Sequence, residues 1–348
     1  MGAKALFKFL FVTGMALALA ACAGEAGPEG PAGPAGPAGP QGPAGAAGSA
    51  AELDVSELSC TECHNDTTII WSKEAQFREA SVHGTGQAFI RGESTNCAGC
   101  HGHEGAKARI SAGLPPHDES VAGITNVSPY DCRTCHQIHT SYTGNDWALT
   151  GDAQPVQLEY SPGTYDGGDG NLCSNCHQSR NEFPVLTFAD GAEYEVTSSR
   201  FGPHHGIEAQ LMLGEGAFFV DNDSSPHYDN VTDTCVGCHM GEERNHTYEP
   251  EVERCQACHS DAENFDIDGT QTEVMELMEE LKALLIDAGI VDLDLDAEGA
   301  RTITGFFPEE VVAARWNYMM VLEDHSFGVH NPSYIKAMLE ASIAALSD

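Results

Sequence analysis

The chain has 348 residues, with 16 Lys+Arg against 53 Asp+Glu and a formal net charge of −37. This acidic excess excludes a nucleic-acid binder that works through a basic surface, and it excludes docking onto anionic lipid by charge alone. Only 41% of the residues are hydrophobic and 7% aromatic, whereas there are 13 cysteines and 16 histidines. We therefore expect a thin polypeptide core and an interior filled by something else.

The chain begins with the pattern of a secretion signal in residues 1–21. Lys4 and Lys8 accompany an apolar stretch that is too short to span a bilayer. The stretch ends in Leu-Ala-Ala-Cys22, which resembles a bacterial lipobox, and the absence of Asp after the cysteine favours the outer membrane. We predict export across the inner membrane and an outer-membrane lipoprotein anchored through Cys22, facing the periplasm or the cell surface. Ordinary cleavage that leaves a free Cys22 thiol is the alternative.

Residues 22–50 continue from this cysteine into a stalk with glycine at every third position from Gly24 to Gly48. Proline follows glycine in six consecutive triplets, from Pro28 to Pro43. This is the Gly-X-Y pattern of a collagen triple helix, which predicts a homotrimer. Because no proline occupies the third triplet position, a stiff monomeric spacer in the polyproline II conformation is an open alternative.

Residues 51–265 carry six copies of Cys-x-x-Cys-His, which use every cysteine except Cys22. Each copy predicts covalent attachment of a c-type haem, because one helical turn brings both thiols and the axial imidazole to the same side. A zinc site, a redox dithiol or a disulfide would not require a histidine after every second cysteine. The copies are Cys60/Cys63/His64, Cys97/Cys100/His101, Cys132/Cys135/His136, Cys173/Cys176/His177, Cys235/Cys238/His239 and Cys255/Cys258/His259.

Six covalent haems would supply the apolar interior that the composition lacks. We therefore predict a mostly α fold with extensive loops, short helices at the motifs and little sheet, organised around six haems. If each iron has two histidine ligands, six of the ten remaining histidines are distal ligands. Methionine is a weaker choice, because most methionines here lie in apolar stripes typical of a helical core.

From Cys60 to the C-terminus, the sequence resembles the multihaem cytochrome c superfamily. This superfamily includes ammonia-forming nitrite reductases, octahaem tetrathionate and hydroxylamine enzymes, and outer-surface cytochromes of metal-reducing bacteria. The resemblance rests on Ser-Val-His83, Cys-His-Gln-Ile-His139, Gly-Pro-His204-His205-Gly, Ser-Pro-His227, Asn-His246-Thr and Gly-Val-His330-Asn-Pro.

Histidines in these contexts are commonly distal ligands in such cytochromes. The resemblance therefore implies a set of six: His83, His139, His204, His227, His246 and His330. His205 is the alternative to His204, and His117 and His325 are reserves. We predict that His103 faces solvent or binds a haem propionate.

The segment 266–348 is predicted to form long helices that pack on the haem core. Thr270-x-x-Glu273 resembles a capping box, and the apolar residues that follow it form a helical stripe. Pro308 and Asn331-Pro332 predict the starts of two further helices. The stripe comprises Val274, Met278, Leu281 and Leu285.

This segment carries two further predictions. In nitrite reductases similar helices form dimer contacts, so the resemblance implies a dimer as a second oligomer option. The acidic run from Asp292 to Glu298 lacks the glycine position of an EF-hand, and it predicts a solvated linker.

The leading functional prediction is a low-potential electron-transfer conduit in anaerobic or extracellular, metal-reducing respiration. Haems with two axial ligands pass electrons without binding substrate, and histidine pairs favour lower potentials than His/Met pairs. Candidate acceptors are metal oxides, quinones or redox partner proteins. No residue is assigned a catalytic role.

The alternative is a reductase of nitrite, hydroxylamine or tetrathionate with one open-coordinate haem. The nitrite-reductase family usually marks that haem with Cys-x-x-Cys-Lys, a motif that this chain lacks. Some related enzymes have only Cys-x-x-Cys-His, so the alternative stays open. A third option is a cytochrome filament, against which the lipid anchor argues.

Overall fold

The computed structural model describes residues 64, 70–121, 126–293 and 301–347. The predicted signal peptide, Cys22, the stalk, and the first two motif cysteines Cys60 and Cys63 lie outside the described residues. So does the acidic run beyond Leu293.

Short helices joined by loops and 3-10 turns make up the motif region, residues 70–265. The Asp131 side chain starts one of these helices, because it accepts a hydrogen bond from Arg133 N while Thr134 completes a capping box. A π-helical turn, Gln76–Ala80, follows the first helix. The helices are α1 Ile70–Ala75, α2 Val82–Thr85, α3 His103–Ala112, α4 Cys132–Cys135, α5 Asn171–Ser174, α6 Glu208–Leu213, α7 Pro226–Asn230, α8 Cys235–His239 and α9 Val252–Cys255.

Strands contribute little in the described residues. Strand β1, Val156–Gln157, pairs antiparallel with β2, Thr164–Tyr165. Strand β3, Glu193–Val196, pairs antiparallel with β4, Gly305–Pro308, with Val196 opposite Gly305. The prediction of a mostly α fold with few strands is confirmed.

Three longer helices follow the motifs: α10 Thr270–Asp287, α11 Glu309–Asp324 and α12 Pro332–Ser347. All four residues of the apolar stripe on α10 are buried. The predicted capping box is wrong, because Gly269 is the N-cap residue and no side chain caps the helix there. Asp266 instead accepts hydrogen bonds from the backbone and hydroxyl of Thr272.

The main hydrophobic core lies among these three helices. Trp316 of α11 is 1% exposed, and its indole Nε1 donates to the carbonyl oxygen of Gly216. Ile207 and Leu211, which lie between the fourth and fifth motifs, are fully buried in the same cluster. The C-terminal helices therefore pack against the segment between the fourth and fifth motifs. No helix in the described residues is both long and apolar enough to cross a membrane.

Candidate haem sites

Each motif histidine defines one candidate site, numbered in chain order. The backbone of the motifs is helical. In four motifs the histidine N–H donates to the carbonyl oxygen of the first cysteine at 2.8–2.9 Å. This hydrogen bond puts the cysteines and the histidine on one side of a turn. None of the described motif cysteines forms a disulfide. The numbering is His64 (site 1), His101 (site 2), His136 (site 3), His177 (site 4), His239 (site 5) and His259 (site 6).

Five motif histidines each face a second histidine from a distant part of the chain. The ring centres of every pair are 6.1–6.3 Å apart. Five of the six residues predicted as distal ligands are the second members of these pairs. The pairs are His64–His139, His177–His83, His136–His246, His239–His330 and His259–His227.

This spacing fits one metal ion between two imidazoles. Two metal–nitrogen bonds of about 2.0 Å each, plus about 1.2 Å from each nitrogen to its ring centre, add up to about 6.4 Å. A direct ring–ring contact has no reason to repeat this distance at five places. The donor set and its spacing therefore fit a haem iron held by two histidines.

Hydrogen bonds fix which ring nitrogen is available. His136 Nδ1 is 2.8 Å from the Trp147 carbonyl oxygen, and His239 Nδ1 is 2.9 Å from that of Tyr248. His246 Nδ1 is likewise 2.7 Å from a backbone carbonyl oxygen. A carbonyl only accepts, so each Nδ1 carries the proton and Nε2 keeps its lone pair. Metal-bound histidines are oriented in this way.

Two distal candidates share one local structure that the sequence pattern Ser-x-His encodes. Ser81 is the N-cap residue of α2, and its hydroxyl oxygen accepts from the backbone N–H of His83. Ser225 does the same for His227 at the start of α7. Both serines are fully buried. The cap therefore sets where each histidine leaves its helix.

A different device holds His139, whose φ of 63° places it in the left-handed region. Asp146 accepts hydrogen bonds from the backbone N–H groups of His139 and Ser141, each at 2.7 Å, and of Tyr142. Burial acts to raise the pKa of Asp146, but the N–H and hydroxyl donors outweigh it and hold the pKa below its usual value. The carboxylate thus pins the loop that carries His139.

Carboxylates rather than carbonyls contact the rings at two sites. Glu208 Oε2 lies 3.2 Å from His177 Nδ1, and its charge raises the pKa of His177 to about 9. Asp324 Oδ1 lies 2.5 Å from His330 Nδ1. Burial acts to lower the pKa of His330, but Asp324 outweighs it and raises the pKa to about 9. Neither carboxylate was predicted from the sequence. Glu208 is far from His177 in the chain and reaches it only in the folded protein, and no sequence pattern links Asp324 to His330.

Site 2 differs from the other five. No ring in the described residues lies opposite His101 at the spacing of the other pairs, whereas His204 and His205 both lie close enough to interact with it electrostatically. Burial and then the charges of Arg180 and Arg91 lower the pKa of His101. Burial and Arg180 also lower the pKa of His204, to about 4. Geometry therefore leaves the choice between His204 and His205 open.

Three other histidines make contacts outside these pairs. His117 Nδ1 lies 2.7 Å from Glu159 Oε2, and the His325 ring lies 6.4 Å from that of His205. His103 Nδ1 is 2.8 Å from Thr134 Oγ1, and its side chain is 15% exposed. Helix α3 thus turns His103 toward the third motif and not toward solvent, and the other alternative, binding of a haem propionate, stays a prediction.

The sixth motif begins at Cys255, the last residue of the four-residue helix α9, which has no buried residue. The Cys258 N–H donates to the Cys255 carbonyl oxygen at 3.1 Å, so the backbone closes the motif turn. The Cys258 side chain is close enough to that of Cys238, in the fifth motif, to interact with it electrostatically. Haem attachment at Cys258 stays a prediction.

Sites 1, 3 and 4 are linked by shared residues. His136 of site 3 and His139 of site 1 are three residues apart in the chain. The Tyr248 ring lies 5.1 Å from the ring of His83 at site 4 and 5.9 Å from that of His246 at site 3. Site 3 therefore lies between sites 1 and 4.

Site 4 also contacts sites 2 and 5. The Cys100 side chain is close enough to that of Cys176 to interact with it electrostatically, as is the Cys173 side chain to that of Cys235. Arg109, which is fully buried, donates to the carbonyl oxygens of Gly99 and Asn175 and so joins the second motif to the fourth.

Sites 5 and 6 meet at the segment before α12. His227 Nδ1, from site 6, is 2.7 Å from the carbonyl oxygen of Val329, the residue before His330 of site 5. Asn331 holds this segment, because its side chain donates to the carbonyl oxygens of Leu211 and Asp223.

A cavity of about 360 Å³ lies at site 3. Both cysteines of the third motif, His136 and His246 line it, together with apolar side chains that include Phe77 and Trp147. The cavity thus brings together two thiols, two imidazoles and an apolar wall, which are the groups that hold a c-type haem.

Comparison with known families finds a match for part of the chain. Residues 47–137 match the family described as cytochrome c7 and related cytochrome c. This part of the chain, which contains the first three motifs, is therefore similar to multihaem c-type cytochromes, which carry c-type haem with iron.

A solved structure is similar over a larger share of the chain. The outer cell wall cytochrome OcwA has a TM-score of 0.45 and 19% sequence identity to this chain, over 78% of this chain and 49% of that one. The chain thus spans about half the length of that structure. No curated protein matches the chain.

Proposed function

We propose that the protein is an electron-transfer conduit of six c-type haems, most of them ligated by two histidines. The observation that carries this proposal is the ring spacing of 6.1–6.3 Å at five of the six motif histidines. When bound, the haems supply one-electron chemistry. The residues of this chain attach them, orient the imidazoles and exclude other ligands from those five irons.

The contacts between sites support an order for the electron path. Sites 1, 3, 4, 5 and 6 form a line, because each is joined to the next by a shared segment, neighbouring thiols or a bridging ring. Site 2 joins this line at site 4, through Cys176 and Arg109, and the segment after His101 also contacts the third motif, since His103 Nδ1 lies 2.8 Å from Thr134 Oγ1. We therefore place sites 1 and 6 at the two ends, with site 2 as a branch.

Low-temperature EPR of the oxidised holoprotein tests this proposal, with haem content measured as the pyridine haemochrome. We expect six haems per chain, at least five of them low-spin ferric. Fewer than five low-spin haems would contradict the assigned histidine pairs. Replacing His246 with alanine should convert one low-spin haem to high spin, and replacing His117, which faces no motif histidine in the described residues, should convert none.

A second candidate function, reduction of a small oxyanion, is favoured by the surroundings of site 2. His101 has no ring partner at the spacing of the other pairs in the described residues, and Arg91 and Arg180 act on it electrostatically. The whole chain has only 16 Lys+Arg, so two arginines at one site attract an anion in an otherwise acidic protein. A reductase needs an iron with an open position.

Addition of nitrite or cyanide to the oxidised protein separates the two functions. If site 2 is open, one high-spin ferric signal shifts on addition of either ligand, and Arg180→Gln weakens nitrite binding more than cyanide binding. A spectrum of six low-spin haems that neither ligand changes would exclude catalysis at iron and leave the conduit.

The location and partners follow from the sequence patterns. We propose an outer-membrane lipoprotein, anchored through Cys22, that passes electrons to metal oxides, quinones or a redox partner protein. Mass spectrometry of the mature N-terminus should find a diacylated cysteine; an unmodified Cys22 would contradict the anchor. Solution mass with and without residues 24–50 tests the homotrimer, and a dimer that persists without them would assign assembly to the C-terminal helices.

A further inference from the structure

Three ligand-type side chains outside the five histidine pairs meet at the C-terminal end of α11. They are His205, from the loop before α6, Glu323 in the last turn of α11 and His325, which caps that helix. One donor atom from each lies within 4.8 Å of the other two. The two rings lie 6.4 Å apart and nearly parallel, at 21°.

Glu323 carries the strongest indication of a ligand. Its side chain is 13% exposed, and its Oε2 is shielded from solvent. This oxygen contacts His205 Nδ1, and the contact raises the pKa of His205. A carboxylate that is largely shielded from water is costly to bury as an anion, and a bound cation offsets this cost.

The backbone directs His325 to the same point. This residue ends α11 with a φ of 58°, in the left-handed region that glycine or asparagine usually takes at a helix end. An ion pair between His205 and Glu323 would account for two of the three residues. It would give His325 no role, although the His325 ring lies 6.4 Å from that of His205.

The donor set selects a class of metal. Ca²⁺ and Mg²⁺ take oxygen ligands, whereas two imidazole nitrogens and one carboxylate oxygen suit Zn²⁺ and its first-row neighbours. Three protein ligands leave at least one position for water. We propose that His205, Glu323 and His325 bind one divalent transition-metal ion, in addition to the haem irons.

Zinc binding by the holoprotein tests this site. After treatment with a chelator, the protein is dialysed against Zn²⁺, and bound zinc is measured by mass spectrometry relative to haem iron. We expect one zinc per chain at saturation, with affinity at least about tenfold weaker in Glu323→Gln and in His325→Asn. Asparagine suits the last position because it tolerates the left-handed conformation.

His117→Asn is the matched control, since it removes another histidine that is paired with a carboxylate. It should bind zinc like the wild type. His205 is left unchanged because it is also a candidate ligand of site 2. No zinc uptake by the wild type, or equal affinity in all variants, would overturn the proposal.

Zinc X-ray absorption of the wild type provides a readout that does not depend on the folding of any variant. We expect a nitrogen and oxygen shell at about 2.0 Å with scattering from two imidazole rings. A zinc shell without imidazole scattering would place the metal elsewhere and would also overturn the proposal. Unchanged haem spectra in the variants would show that the effect is confined to this site.

Discussion

The motif region and the C-terminal helices bury their side chains in different ways. In α11 the side chains from Val311 to Val321 are all buried, whereas in the motif region Trp71 is 61% exposed and Val82 is 75% exposed. The C-terminal helices thus have a conventional hydrophobic core, whereas the described motif region has cysteines and imidazoles gathered at separate sites. The two regions therefore depend on different sources of stability. Buried apolar surface stabilises the C-terminal helices, and we expect the haems to stabilise the motif region.

The largest expected difference between the two regions is in the full chain made without haem. We expect its motif region to lose structure while α10, α11 and α12 persist, because their core contains no haem-binding residue. Hydrogen exchange should be about a hundredfold slower in these helices, a difference of about 2.7 kcal/mol. Equal exchange rates in both regions would mean that the two regions do not differ in their dependence on haem.

Trp316→Ala should lower the free energy of unfolding of the holoprotein by about 3–5 kcal/mol, since it empties a large volume in the C-terminal core. Denaturation followed by circular dichroism measures the loss. Phe306→Ala is the matched control, because Phe306 is 64% exposed and its loss should change stability by less than about 0.5 kcal/mol. A small effect of the tryptophan change would mean that the haems hold this core as well.

Asp146→Asn should cost about 1–2 kcal/mol, because one carbonyl oxygen cannot accept all the N–H groups that the carboxylate does. Since the pKa of Asp146 is lowered in the folded state, its stabilising contribution is present above the unfolded pKa of about 3.9 and is lost as the pH falls through the folded pKa. We expect the wild type to lose more stability than the variant between pH 5 and 2, as measured by acid titration.

Asp152→Asn is the control for this change, since Asp152 is exposed and its carboxylate accepts a hydrogen bond from the Gln137 side chain. EPR of the Asp146 variant should show high-spin character at one haem, because His139 is no longer pinned. An unchanged EPR spectrum together with unchanged acid stability would show that the carboxylate does not hold this loop.

The smallest effect is expected for Glu208→Gln. The carboxylate beside His177 makes that imidazole a stronger donor and favours ferric iron, so its loss should raise the reduction potential of one haem. Weakening by about 1.4 kcal/mol corresponds to about 59 mV for one electron. Potentiometric titration followed in the visible spectrum measures the shift.

Glu159→Gln is the control, because Glu159 is paired with His117, which faces no motif histidine in the described residues. In that part of the chain Glu159 contacts no motif imidazole and interacts only electrostatically with Cys100 of site 2, so its loss should shift the potentials less than Glu208→Gln does. If both substitutions shift the titration equally, the effect is one of overall charge. A shift in potential seen only with Glu208→Gln would show that a local carboxylate sets the reduction potential of a haem in the motif region.

The sequence predicts local features better than pairings. The stripe on α10 could be predicted because its members share one helical face, and the Ser-x-His pattern marks a cap that involves neighbouring residues only. The partner of each motif histidine could not be predicted, because His83 and His177 are 94 positions apart (177 − 83) and meet only in the folded chain. The same reason hides Glu208 and Arg109, whose partners come from other segments.

The pair of rings at site 5 has a consequence for biogenesis. His239 and His330 are 91 positions apart (330 − 239), and the second of them follows all six motifs in the chain. In a chain exported from its N-terminus, every attachment motif has therefore emerged before this partner does. On the proposed pairing, site 5 is complete only once the last turn of α11 and the residues after it have been exported, so ligation by both histidines there would report that the whole motif region has been exported.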